Sequence, residues 1–218
     1  MAPNPDLLRT EFLGFTVRFD DVELSREDMA LFFAGTSSRY GLNRLEYHAD
    51  GGATMSGPDG AEFVLRPGQA ASCGVTRLGL AEGLERVGGL LEEAIDRYRI
   101  GSMFIEDVTM VAIWDCETEE IARRLLAEDI LRFDEERVAL LGDEELSVGL
   151  RLWRRSGDGT IDCALEPMHA DPSKIYLRLT YGQPEPVVDL AALLGVVQQI
   201  HEFLQGPLKA FVVALARR

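Results

Sequence analysis

The stretch DCALEPMHAD sets Cys163, Glu166, His169 and Asp171 within nine residues, a mixture of soft and hard donors of the kinds that hold metal ions. Their spacing matches no ligand pattern, and strand alternation sends Cys163 and Glu166 to opposite faces unless the chain bends at Pro167. The expected reading is a structural loop, with no resident metal and no cofactor. In HEFLQ, His201 and Glu202 lack the second histidine four residues on that a zinc-protease helix requires, so His201 reads as a partly buried helix residue. His48 stands beside no serine or cysteine in a nucleophile elbow. Neither G-x-x-x-x-G-K-[ST] nor G-x-G-x-x-G occurs, which removes local support for nucleotide chemistry.

A second set of candidates comes from strand faces. If the apolar alternates of each strand point toward helices, the opposite face displays Thr16, Arg18, Arg44, Glu46, His48, Glu62, Arg66, Arg151, Trp153, Tyr176 and Arg178. Arginines outnumber glutamates there, although the chain carries 37 acidic and 22 basic residues and a net charge of -15. Guanidinium groups pair bidentately with carboxylate and phosphate, and Trp153 and Tyr176 add flat contact area. Arg18, Arg44, His48, Arg66, Arg151, Trp153, Tyr176 and Arg178 are therefore the candidate binding residues, for an anionic small molecule or an acidic protein partner.

The elements that must position them follow from periodicity. Residues 13–19 alternate as a strand with one buried face. Ser25 and Asp28 form an approximate capping box for a helix that runs to Gly41. Extended segments 44–48, 62–66 and 72–77 follow, separated by turn-rich stretches such as ADGGATMSGPDG, and read as an antiparallel meander. An amphipathic helix over 84–98 stops before Gly101, with Gly88 and Gly89 placed for close approach to the sheet. The same order then returns: a strand over 108–116, a helix opened by Thr118, strands over 146–153, 161–165 and 175–181, and a long helix from Leu190 that should kink at Gly206 and Pro207. The apolar tail PLKAFVVALARR is expected to dock on the body, with docking on a second subunit, and hence a homodimer, as the alternative. The reading is an α+β protein of duplicated β-α-β-β-β-α units, residues 1–106 and 107–218. Its helices pack on one face of antiparallel sheet, with one sheet or two left open.

This organisation resembles that of a sporadically distributed bacterial protein family of about this size and unestablished function. The segments that carry it are EFLGFTVRF, LLEEAIDRYR leading into VTMVAIWD, YLRLTYG and VVQQIHEFLQGPLKAF. Where that family has an R-x-G-L-R-Y type segment, this chain reads VTMVAIWD and lacks both arginines. The resemblance implies the same fold and brings no catalytic residues.

Composition limits the partners. Nucleic-acid binding draws most of its affinity from lysine and arginine, which the acidic excess opposes. No apolar run approaches the roughly 20 residues needed to cross a bilayer, and MAPNPDLLRTEF does not read as a secretory signal. Acidic clusters at 117–120, 128–129 and 134–136 read as solvated helix faces. Cys73, Cys116 and Cys163 are odd in number and widely spaced, as expected of buried thiols in a reducing compartment. Only Lys174 and Lys209 are lysines among the basic residues, a skew that suggests a GC-rich bacterium. The expected location is the cytoplasm. The leading expectation is a binding protein that uses the helix-free face. One alternative is an enzyme or enzyme subunit acting on an anionic small molecule, with His48 or His169 as acid or base. Another is a structural subunit of a bacterial assembly.

Overall fold

The computed structural model describes residues 8–75, 80–131, 148–187 and 189–216. The chain enters on β1 (Leu8–Phe19), followed by α1 (Arg26–Tyr40). A four-strand meander comes next: β2 (Arg44–Tyr47), β3 (Ala53–Ser56), β4 (Glu62–Arg66) and β5 (Gln69–Val75). Helix α2 (Leu80–Tyr98) leads to β6 (Met103–Asp115) and then α3 (Glu119–Arg124), which continues as a π-helical turn over Leu125–Ile130. Strands β7 (Leu150–Ser156), β8 (Gly159–Pro167), β9 (Lys174–Gly182) and the short β10 (Pro186–Val187) lead to α4 (Leu190–Phe203). A second π-helical turn, Leu204–Leu208, joins α4 to α5 (Lys209–Ala216).

All strands belong to one antiparallel sheet in the order β2-β3-β4-β5-β1-β6-β9-β8-β7, with β10 beside β6. The seam is β1 against β6, where Leu13 faces Met110 and Phe15 faces Val108. Each half thus contributes a strand to the centre and carries its meander outward, which answers the choice between one sheet and two. The first meander has one strand more than the sequence suggested, because β3 lies inside ADGGATMSGPDG. Four residues flanked by glycine turns give too short an alternation to read, yet Ala53 and Met55 are fully buried.

Alternation decides which face is covered. Phe15 and Val17 of β1, Ile105, Val108 and Met110 of β6, and Leu177 and Leu179 of β9 are buried on one side. They meet Met29 and Phe32 of α1, Leu90 and Leu91 of α2, and Leu193 and Val197 of α4 in a single core. The helix ends follow side-chain chemistry. Asp28 N–H donates to the Ser25 hydroxyl, Ile121 N–H to Thr118, and Ala192 N–H to the Asp189 carboxylate. Gly41, at φ 65°, closes α1 in the left-handed region that other residues enter at a cost.

Gly88 and Gly89 serve helix packing and not approach to the sheet. A Cβ on Gly88 would meet Leu194 of α4 at 2.9 Å, and one on Gly89 would meet the Tyr40 hydroxyl at 2.3 Å. The kink expected at Gly206 and Pro207 is the second π turn, where proline interrupts the helical ladder. It turns α5 back onto the π segment after α3, burying Leu208 and Val212, so the described part of the tail docks internally. The expected strand start at Leu146, the strand end at Arg77 and the acidic residues 134–136 lie outside the described residues.

One glycine is required by its surroundings. A Cβ on Gly52, at the entry to β3, would stand 2.7 Å from the Leu65 carbonyl oxygen and 3.2 Å from the Arg66 Cα, both backbone atoms. Gly52→Ala is expected to destabilise the protein by about 1–3 kcal/mol, as overpacking does. An unchanged urea midpoint would show that this hairpin gives way freely.

Candidate functional site

The face opposite the helices carries every candidate binding residue. Two register shifts shape it: Glu11 is the extra residue of a bulge in β1, and Glu106 of one in β6. Cross-strand partners share a face, so rows of side chains can be followed across the strands. One row runs Phe12, Val111, Arg178, Ala164, Arg151, and the next Gly14, Thr109, Thr180, Asp162, Trp153.

The candidates do not converge. Arg44 lies on β2 at one edge and Arg151 and Trp153 on β7 at the other, eight strand spacings or about 38 Å apart. A single pocket lined by Arg44, Arg66, Arg151 and Trp153 is thereby ruled out. On the β2 side each arginine is already engaged: Arg44 with Glu46, Arg66 with Asp50 at 3.4 Å, and Arg18 with Glu106 at 3.7 Å. The Nε2 of His48 bonds the Thr54 hydroxyl at 2.7 Å. Of the carboxylates two residues away on either side, Glu46 pairs with Arg44, and Asp50 accepts from the Gly52 N–H and pairs with Arg66, so His48 has a place in a hairpin brace and not as a base oriented toward a nucleophile.

The β7–β9 end is organised differently. The Nε and Nη2 of Arg151 donate to both oxygens of Asp162, at 3.0, 3.2 and 2.5 Å, and its guanidinium lies 5.0 Å from the Trp153 ring centre. Hydrogen bonding from Arg151 holds the Asp162 carboxyl below the ordinary carboxylate range, and the Trp153 N–H and the Arg178 charge add to this. Trp153 is thus fixed from one side while 67% of it remains exposed. Arg178 is exposed and makes no ion pair among the described residues, and Tyr176 beside it is half-buried. Arg151, Trp153 and Arg178 occupy adjacent rows at this end, with Tyr176 one row beyond Arg178, while Arg18, Arg44, His48 and Arg66 lie apart from them on or next to the strands of the first half.

The arginine excess expected from the sequence is absent from the complete face. Longer strands and the two bulges add Glu11, Glu106, Asp107, Asp115, Asp162 and Glu166, which match the basic side chains. Only the β7 end keeps a local basic character, through Arg151, Arg155 and Arg178. The bulge residues were beyond sequence reasoning, since alternation assigns them no face.

The four weak metal candidates are kept apart. Cys163 is buried on the helix side, Glu166 is exposed on the open face, and His169 is exposed in the following loop. Asp171 pairs with Lys174 at 2.7 Å and bonds Ser173. No group of metal-ligating residues forms among the described residues. All three cysteines are free. Burial pushes the Cys116 and Cys163 thiols up to about 12 and Cys73 to about 11, so none is a ready nucleophile near neutral pH. His201 is half-buried as expected, and burial lowers its pKa.

Among the described residues, concavities lie elsewhere. A cleft of about 740 Å³ opens between α1, α2 and the start of α4, lined by Tyr40, Arg86, Gly88, Gly89 and Leu194. A smaller one of about 330 Å³ at the end of the open face involves Arg9, Glu11, Asp115 and Lys174. No candidate binding residue lines either.

Fold and face together define a class: an α+β protein whose described helices cover one side of an antiparallel sheet, the other side being free of helix among the described residues. No described helix is long and apolar enough to cross a membrane. No family model and no curated protein matches the chain. Among solved structures, an aspartate kinase from Clostridium acetobutylicum matches over 88% of this chain and 34% of its own, with 10% identity and a TM-score of 0.24. The chain therefore spans about a third of that enzyme's length, and a likeness of this degree carries no argument about activity.

Proposed function

We propose that this chain is a non-enzymatic binding protein that docks an acidic segment of a protein partner on the β7–β9 end of its open face. The observation that carries the reading is Trp153, held by Arg151, which is itself held by Asp162, with Arg178 and Tyr176 alongside. Tryptophan, tyrosine and arginine dominate the energetics of protein interfaces, and side chains fixed before binding lose less entropy on docking. Among the described residues the surroundings are a sheet surface and not a pocket, which favours a protein over a small ligand. The acidic excess of the whole chain opposes nucleic acid. The free thiols support a reducing compartment, and with it a bacterial cytoplasm.

The test is capture from the native host with wild-type protein and with the Trp153→Ala, Arg178→Ala double variant. The variant is expected to weaken capture of the partner by at least about 30-fold, the scale of a hot-spot loss. Its melting temperature should stay near that of the wild type, since both side chains are exposed. Equal capture by both proteins overturns the reading.

A further inference from the structure

The outermost strand of the binding end, β7, reads LRLWRRS and pairs with β8 alone among the described strands. Its hairpin with β8 closes through the two residues Gly157 and Asp158, with Gly157 at φ 59°. A two-residue turn makes its flanking pair, Ser156 and Gly159, hydrogen-bonded to each other, and the pattern then alternates back along the strands. Leu150, Leu152, Arg154 and Ser156 therefore direct their backbone groups inward to β8. Arg151, Trp153 and Arg155 direct theirs outward, at a repeat of about 6.8 Å. The side chains of those same three residues stand on the open face, all exposed.

We propose that β7 receives the partner's acidic segment as an added antiparallel or parallel strand, a deepening that rests on the docking reading above. An extended chain along this edge would meet three outward amide and carbonyl positions, with carboxylates four residues apart beside Arg151 and Arg155 and an apolar residue midway between them against Trp153. Charge selects this occupant. A second copy pairing antiparallel about Trp153 would set Arg151 opposite Arg155, and like charges directly opposite destabilise a sheet.

The opposite edge of the sheet gives an internal contrast. On β2, the Tyr47 hydroxyl donates to the Arg26 carbonyl and the Arg26 guanidinium lies 5.3 Å from its ring centre, so the aromatic side chain of that edge is engaged by α1. Edge strands are commonly protected by charge, and the arginines of β7 fit that role. A tryptophan 67% exposed in the middle of the strand does not.

The experiment uses the whole protein and a capped peptide of repeated Glu-Thr-Val-Thr, which sets glutamate and valine in turn along one face, compared with the same peptide N-methylated at every residue, with its lysine counterpart and with no peptide. Hydrogen exchange of individual amides is the readout. Strand addition predicts that the glutamate peptide slows exchange at Arg151, Trp153 and Arg155, and that N-methylation weakens binding at least about tenfold by removing main-chain donors. If the N-methylated peptide binds equally and the three amides stay unprotected, strand addition is overturned while docking on the face survives. Equal binding of the lysine peptide overturns the acidic occupant. Protection that grows with protein concentration in the absence of peptide assigns the edge to a second copy. No binding by any peptide at millimolar concentration overturns both readings.

Discussion

Val108→Asp is expected to unfold both halves of the chain in one transition. Val108 is fully buried on β6 and faces Phe15 of β1 on one side and Tyr181 of β9 on the other. The change removes about 1.5–3 kcal/mol of apolar burial and leaves a carboxylate without a partner, at a further cost of several kcal/mol. Together these reach about 5 kcal/mol, the size of the whole stability of many domains. Urea unfolding followed by circular dichroism should show the transition moved to very low denaturant or lost. Val64→Asp, on the open face of β4, should cost only about 1 kcal/mol, the span of strand propensity. If the first half were independent, a step of wild-type midpoint would persist in Val108→Asp. Its presence would mean that the β1–β6 seam does not couple the two.

The second large effect concerns Asp59 and Arg86, which tie the β3–β4 turn to α2. Their side chains are 27% and 14% exposed, and the Arg86 Nη1 donates to Asp59 while its Nη2 is buried without a hydrogen-bond partner. Burial alone would raise the Asp59 pKa, but the Ala61 N–H and the Arg86 guanidinium outweigh it and hold it below the ordinary value. A carboxyl lowered in the folded state adds stability that is present above its unfolded pKa, near 4, and is lost as pH falls through the folded value. Asp59→Asn is therefore expected to cost about 2–3 kcal/mol at pH 7, the scale of a charged hydrogen bond whose partner stays buried. The gap to wild type should close as the pH falls below about 4. Midpoints measured between pH 7 and pH 3 check this; a constant gap would show that the loss comes from packing and not from charge.

Much of the fold was legible because its signals are local. The alternation of Leu13, Phe15, Val17 and Phe19 identified β1 and its buried side, and Ser25 and Thr118 mark helix starts by chemistry that acts over three residues. The assignment of strand faces held for the same reason: period two leaves a side chain only two choices. What failed was non-local. Strand order places Arg44 and Arg151 at opposite edges, and no periodicity within a strand encodes which strand lies next to it. Bulges moved Glu11 and Glu106 onto the open face, and together with the longer strands they cancelled the expected arginine excess. Short β3 was hidden among turn residues, and Gly88 and Gly89 gained their meaning only when α4 and Tyr40 came to rest against them.

The seam between β1 and β6 also sets an order of events during synthesis. β1 is made before every other described strand yet lies at the centre of the sheet, and its partner β6 leaves the ribosome only after α1, the first meander and α2 have emerged. Until then the nascent chain holds β1 paired through β5 on one side and bare on the other, a long apolar rim of the kind that recruits foreign strands. Closure of that rim by β6 hands the open edge on to β6 itself, which stays bare on its far side until β9 is made.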